Sequence, residues 1–316
     1  MMETTGINLQ ALFQNKKMMM TGTNNSAGKV TVIGLGTMGS ALANALLAKG
    51  YEVTVWNRNA AKAAPLAEQG AVVATGIAAA IAASPLVVIC VSDYKASEKI
   101  LAQEDLANVL HGRTLLLLST GTPKEARELD AWAKQHGAHC LNGDILAWPR
   151  QIGTSDATIT VCGDEGIFRQ HEAALHSLAG TVNYLGGGPG ASAVLFSAVL
   201  AYLAGNWIGF CHGALICENE GFRADDFGNL VHSISPILAI ESKHMGEVIQ
   251  HNRFSDPEST VNTTGHDLHL LVQQAEEAGI SKELPRFAAD IFQRAIDAGY
   301  GAEEHAAIIK VLRKTA

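Results

Sequence analysis

The sequence predicts an α/β chain: a doubly wound parallel sheet in the first half, followed by a half that is all helix. Three observations predict it. From Lys29 onward, short β-branched runs alternate with helical ones, which is the signature of βαβ units. Those runs are apolar at successive positions, as strands covered by helices on both faces must be. After Tyr184 the β-branched runs stop, and a glycine-rich stretch at 186–190 leads into a long apolar segment and then amphipathic ones.

The elements follow in order. KVTVIG at 29–34 reads as the first strand and MGSALANALLAKG at 38–50 as its helix, with Gly50 where a helix end favours a left-handed residue. Further strands are EVTVW at 52–56, AVVA at 71–74, LVVICV at 86–91 and TLLLLS at 114–119, then segments near 139–146, 157–162 and 181–185. The boundary falls near 187, giving a loosely ordered tail at 1–28, a sheet domain at 29–187 and a helical domain at 188–316. In the latter, helices are expected at 225–235, 241–252, 263–279, 284–299 and 302–314, with Pro236, Pro257 and Pro285 marking breaks or starts.

Composition narrows the function classes. With 47% hydrophobic and 17% charged residues, the chain can bury one large or two medium cores. A net charge of -8 without any Lys or Arg run leaves no electrostatic footprint for nucleic acid or anionic lipid. The five cysteines are scattered in apolar runs and read as buried thiols of a reducing, cytoplasmic compartment. The first 28 residues lack the apolar stretch of a secretory signal. His136, His139 and Cys140, the pair His266 and His269, and the trio Cys211, His212 and Cys217 each fall short of a ligand set at metal spacing, so no metal is expected.

Between Glu172 and Glu218 there is no Asp, Glu, Lys or Arg, and 191–217 reads as one unbroken helix. Such a run could span a bilayer by length. Asn206, His212 and Ser197 interrupt it, however, and no basic residues flank it, so burial within protein is the better explanation. Gly205, Gly209 and Gly213 recur at four-residue spacing, which would let another helix approach along one stripe. A chain of this size cannot readily wrap so long a helix alone, and a homodimer is expected to cover it.

Gly34, Gly36 and Gly39 form a GxGxxG that follows a strand and opens a helix, the context of a dinucleotide-binding Rossmann domain. In that motif the first glycine permits the turn, the second lets the backbone approach the pyrophosphate, and the third lets helix and strand pack. Leu35, Thr37 and Met38 complete the loop, whose helix N-terminus faces negative charge. At the end of the second strand, where an acid would hold a ribose 2′-hydroxyl, stand Asn57, Arg58 and Asn59, and then Lys62. Arg58 can fork onto a 2′-phosphate, Lys62 adds charge, and the two Asn offer amides, so NADP(H) is favoured over NAD(H). Val91, Ser92 and Asp93, and Thr120, Gly121 and Thr122, lie where later strands end, the place where cofactor and substrate meet in such sheets.

The stretches GLGTMGSALA (34–43), VWNRNAAKA (55–63), CVSDYKA (90–96), LLLLSTGTPKEAR (115–127), NGDILAWPRQIGT (142–154), NYLGGGPGASA (183–193) and IDAGYGAEEHAAIIKVLR (296–313) resemble the NADPH-dependent imine reductases and reductive aminases. These are relatives of the β-hydroxyacid and 6-phosphogluconate dehydrogenases, and the resemblance covers nearly everything after residue 28. It implies a Rossmann domain, a long interdomain helix and a helical domain interlocked with its twin. It further implies an NADPH-dependent oxidoreductase that reduces an imine, or joins an amine and a carbonyl. The family often carries an Asp or Tyr proton donor on the interdomain helix, and that position falls on Phe196 here. β-Hydroxyacid dehydrogenases carry a Lys on this helix and an Asn one turn later. This helix has no Lys, and Leu200 stands at the Asn position.

Two readings of Phe196 follow. The substrate arrives already cationic as an iminium, so that an aromatic wall suffices; or the chain is a non-catalytic NADP(H)-binding protein. Tyr202 is the nearest acid on the helix by residue type, yet six residues on it sits on a different face. Trp148, Phe196, Trp207 and Phe210 are candidates to line an apolar substrate pocket. Asp144 stands where the family usually has a small residue.

Overall fold

The computed structural model describes residues 27–103 and 106–313, so most of the 1–28 tail lies outside the described residues. The described chain separates into two compact units divided between Leu200 and Ala201.

The first unit is built on an eight-stranded sheet of order β3-β2-β1-β4-β5-β6-β7-β8. Its elements are β1 (Lys29–Ile33), α1 (Thr37–Ala48), β2 (Glu52–Trp56), α2 (Ala64–Glu68), β3 (Val72–Val73), α3 (Ile77–Ala82), β4 (Leu86–Ile89), α4 (Tyr94–Leu101), α5 (Ala107–Leu110), β5 (Thr114–Leu117), α6 (Pro123–Gln135), β6 (His139–Leu146), β7 (Thr158–Gly163), α7 (Glu165–Leu178) and β8 (Thr181–Tyr184). Strands β1 to β6 run parallel, β7 turns antiparallel against β6, and β8 follows β7. The order 3-2-1-4-5-6 is that of the dinucleotide-binding sheet, with its switch point between β1 and β4.

Burial explains the strands. β4 and β5 are buried at all four positions, between one apolar layer formed with α1 and α7 and another formed with α4 and α6. β3 departs from the expectation of two covered faces: it is an edge of two residues, and both Val72 and Val73 are exposed. Gly50 has the expected left-handed backbone, with φ 83°, at the end of α1.

A helix α8 (Ala191–Asn219) crosses the division between the units. At 29 residues it is about 43 Å long, and it runs two residues past the expected end. Gly221, with φ 80°, stops it, and the N–H groups of Gly221 and Phe222 close on the carbonyls of Glu218 and Cys217. By length and composition α8 could cross a membrane, and its most apolar window is not buried within the single chain. Of the expected glycine stripe, only Gly213 meets a close neighbour, the Phe227 ring; Gly205 and Gly209 face open space.

In the second unit α9 (Ala224–His251), α10 (Val261–Glu277) and α11 (Glu283–Ala295) gather around Val248, Phe254, Val261, Phe292 and Ala295. Two expectations are corrected here. Pro236 does not break the chain into two helices, and α9 runs through it. The ring removes one donor, the one that would reach the carbonyl of His232, a residue on the exposed side of the helix. The second correction concerns the end of the chain. The expected 284–299 helix forms as α11 continued by a wider turn at Ile296–Tyr300, in which Gly299 has φ 87°, whereas 302–314 is reduced to a short turn at His305–Ile308 and α12 (Ile309–Leu312). Buried Glu304 ties this region down by accepting from the Glu258 N–H.

All five cysteines are free; Cys140 and Cys162 are buried as expected, whereas Cys211 is exposed. No group of three or more metal-ligating side chains gathers among the described residues.

Candidate dinucleotide and substrate site

The three motif glycines differ in what surrounds them. Gly34 has φ 94°, and a Cβ there would lie 2.3 Å from the Cys90 carbonyl oxygen. At Gly39 a Cβ would lie 1.9 Å from the Gly34 oxygen, so the first turn of α1 packs directly on the strand end. A Cβ on Gly36 would meet nothing within 4 Å. Only this glycine opens onto free space, where a pyrophosphate has to approach. Gly36 is also the N-cap of α1 and supplies no side-chain cap, leaving the first-turn N–H groups of Thr37, Met38 and Gly39 directed at that space.

The residues after β2 divide into brace and clamp. Asn57 is the brace: its Oδ1 accepts from the Leu35 N–H at 2.9 Å and its Nδ2 donates to the Asn59 carbonyl at 2.9 Å. Asn59 caps the next turn through Ala61. Asn57 thus holds the loop through both ends of its amide and Asn59 through its oxygen, a role that sequence reasoning missed. Its signal, a polar residue ending a strand beside a glycine turn, is not distinctive. Arg58 and Lys62 are exposed, and neither forms an ion pair among the described residues. Two unpaired cations one short turn apart are what a 2′-phosphate needs.

The ends of β4 and β5 are tied together by Ser119, whose hydroxyl lies 3.2 Å from the Val91 N–H it accepts and 3.1 Å from the Ser97 hydroxyl. Asp93 caps α4: the Ala96 N–H first, and then the Ser92 hydroxyl, hold its carboxyl below the usual range, so it is ionised at neutral pH. Thr122 caps α6 in a reciprocal box with Glu125, which the sequence reading did not single out. Between them Gly121 leaves room for Tyr94, since a Cβ on it would lie 2.0 Å from that ring. Tyr94 is buried and its hydroxyl reaches Asn142 on β6 at 3.2 Å.

The candidate substrate residues are not gathered into one place within either unit. In the first, Trp148 is 57% exposed after β6, and Phe196 is half-buried on α8, one turn beyond Ser192. The Ser192 hydroxyl donates to the Asn142 carbonyl at 3.0 Å, which anchors that helix face against β6. In the second, Phe210 packs against Phe227 with tilted rings 5.1 Å apart and so has a packing role, while Trp207 and Tyr202 are exposed, Tyr202 at 61%.

A glycine turn open at Gly36, an uncapped helix end and an exposed cationic pair on a 3-2-1-4-5-6 sheet fit a dinucleotide-dependent oxidoreductase of the Rossmann class. The family model for the NAD-binding domain of 6-phosphogluconate dehydrogenase matches residues 29–186, and that for the C-terminal domain of NADPH-dependent reductive aminase-like proteins matches 188–314. The chain is 29% identical to an NADPH-dependent reductive aminase of Aspergillus oryzae over 90% of its own length and 97% of that protein. Among solved structures it resembles an imine reductase from Myxococcus stipitatus in complex with NADP+, with 31% identity, a TM-score of 0.85 and coverage of 90% and 99%. A reductive aminase from Aspergillus terreus in complex with NADPH4, cyclohexanone and allyl amine gives 33%, 0.84, and the same 90% and 99%. The chain belongs to the imine reductase and reductive aminase family.

Proposed function

We propose that this chain is a cytoplasmic, NADPH-dependent reductase that delivers hydride to the carbon of a C=N bond, formed beforehand or from an amine and a carbonyl. Residues 29–187 hold the cofactor and 188–316 serve dimerisation and substrate. When bound, the dihydronicotinamide supplies the hydride. Gly34, Leu35, Gly36, Thr37, Met38 and Gly39 would cradle its pyrophosphate, Arg58 and Lys62 would grip the 2′-phosphate, and Val91 to Asp93 with Thr120 to Thr122 would border the nicotinamide end.

One observation decides between C=N and ordinary carbonyl reduction: α8 presents Phe196 and carries no Lys. A ketone needs a proton on oxygen as hydride arrives, and the ammonium that would give it is missing. An imine nitrogen is far more basic than a ketone oxygen and can take its proton from a much weaker acid, and an aromatic face favours the iminium that results. The test is NADPH oxidation with a panel of cyclic imines, beside simple β-hydroxyacids in the reverse direction. Turnover of the imines alone is expected. β-Hydroxyacid oxidation would overturn the reading, and silence of the whole panel would favour a binding protein.

A second copy is the proposed cover of the long helices. Ile208 and Leu215 on α8, and Ile237 and Ile240 on α9, are exposed in the single chain, an apolar surface that water does not tolerate over such an area. Protein covers them in this proposal, not lipid or nucleic acid, and light scattering at micromolar concentration is expected to give a dimer. A monomer would refute it.

A further inference from the structure

Three polar groups stand in register across β6, β7 and β8: Asp144 opposite Thr160, and Thr160 opposite Asn183. All three are buried, and Asp144 Oδ2, Thr160 Oγ1 and Asn183 Nδ2 each lack a hydrogen-bond partner. Unpaired polar atoms shut from solvent are rare in interiors, and three abreast are rarer. They lie in a definite place. The last pair between β5 and β6 is Leu117 with Asn142, so Asp144, two residues on, overshoots β5 and comes level with Ser119. Ser119 is the residue that pins the ends of β4 and β5, next to the Thr120–Thr122 loop. Asp144 shares its strand face with Asn142, which Tyr94 and Ser192 hold from α4 and α8. Phe196 follows Ser192 by one turn on the same face of α8.

We infer that Asp144 is the proton donor of this chain, delivering to the imine nitrogen the proton that Phe196 cannot. The inference rests on the proposed C=N reduction. As the imine carbon receives hydride, the π pair moves onto nitrogen and takes the proton from the Asp144 carboxyl; the carboxylate is then reprotonated from water, and the neutral amine leaves. An acid with this task has to be protonated near neutrality. Burial, with no cationic side chain paired to it, pushes the Asp144 carboxyl up to about 7. The titratable group facing it is Tyr94 from α4, which burial keeps neutral in this range. The carboxyl therefore replaces the missing side chain from the sheet and not from the helix.

The test compares wild type with Asp144→Asn on two substrates: a neutral cyclic imine, and its N-methyl iminium, whose nitrogen needs no proton. A donor role predicts that kcat on the neutral imine falls about 100-fold, and that the loss is at least ten times smaller on the N-methyl iminium. Equal losses on both would mark a structural residue and overturn the inference, as would no loss on the imine. If wild type reduces neither substrate, the proposed function falls and the donor role with it. A second reading needs no turnover: in the apoprotein, the carbon-13 signal of the Asp144 carboxyl is expected to titrate near neutrality. Titration near 4 would contradict the inference.

Discussion

The buried carboxyl of Asp144 makes a stability prediction that is independent of any substrate. Its ordinary value is 3.8, and in the folded protein it is raised to about 7 because burial disfavours the ionised form. A carboxyl raised on folding binds its proton more tightly in the folded state than in the unfolded chain. The folded state is therefore relatively stabilised at low pH and loses that advantage as pH climbs from about 4 to about 7, with no further change above. At about 1.36 kcal/mol per pH unit, an interval of about 3 units amounts to about 4 kcal/mol. The side chain is 4% exposed, so solvent does little to reduce the effect. Asn at this position has nearly the same shape and does not titrate. Urea unfolding of wild type and Asp144→Asn at pH 4.5 and pH 8 measures the difference directly. Because pH 4.5 already lies above the unfolded value, the variant is expected to gain about 3 kcal/mol on wild type between the two conditions, at unchanged m. A gap independent of pH would refute the assignment of a buried, proton-holding carboxyl.

Other outcomes follow from the same geometry. Gly36→Ala meets no atom within 4 Å and keeps an ordinary φ of -72°, so its melting temperature should stay within about 2 °C of wild type while NADPH affinity falls at least about tenfold; calorimetric titration and a thermal melt check the pair. Gly39→Ala, with its Cβ 1.9 Å from a backbone oxygen, should instead lose about 1–3 kcal/mol in a urea melt. Gly121→Ala collides with the Tyr94 ring and should lower both stability and the affinity for NADPH, because Tyr94 can no longer hold Asn142 from beneath the 120–122 loop.

Much of the sheet was legible because its physics is local. A strand covered on both faces must be apolar at consecutive positions, and β4 and β5 announce themselves in that way. The glycine turn was legible for the same reason, since its backbone demands are met within six residues. What the sequence hid depends on distant neighbours. Asn57 reads as a free amide until Leu35, 22 residues away, is seen to donate to it. The end of the chain reads as a helix until Gly299 turns left-handed and Glu304 is found buried against Glu258. Pro236 reads as a break because the rule describes the isolated helix, yet α9 runs through it on an exposed stretch. Asp144 reads as an ordinary acid on a strand, and only the register of β6 with β7 and β8 shows that its neighbours across the sheet are unpaired too.

The cationic pair after β2 is the element on which the reading as an NADPH-dependent enzyme depends most. Calorimetric titration of wild type and Arg58→Ala with NADPH and with NADH tests it directly. The 2′-phosphate makes charge-assisted hydrogen bonds of about 1.5–3 kcal/mol with the guanidinium, so the substitution is expected to weaken NADPH binding about 10- to 100-fold and leave NADH within about twofold. Equal binding of the two dinucleotides by wild type, or an Arg58→Ala variant that still prefers NADPH by the same factor, would contradict the account.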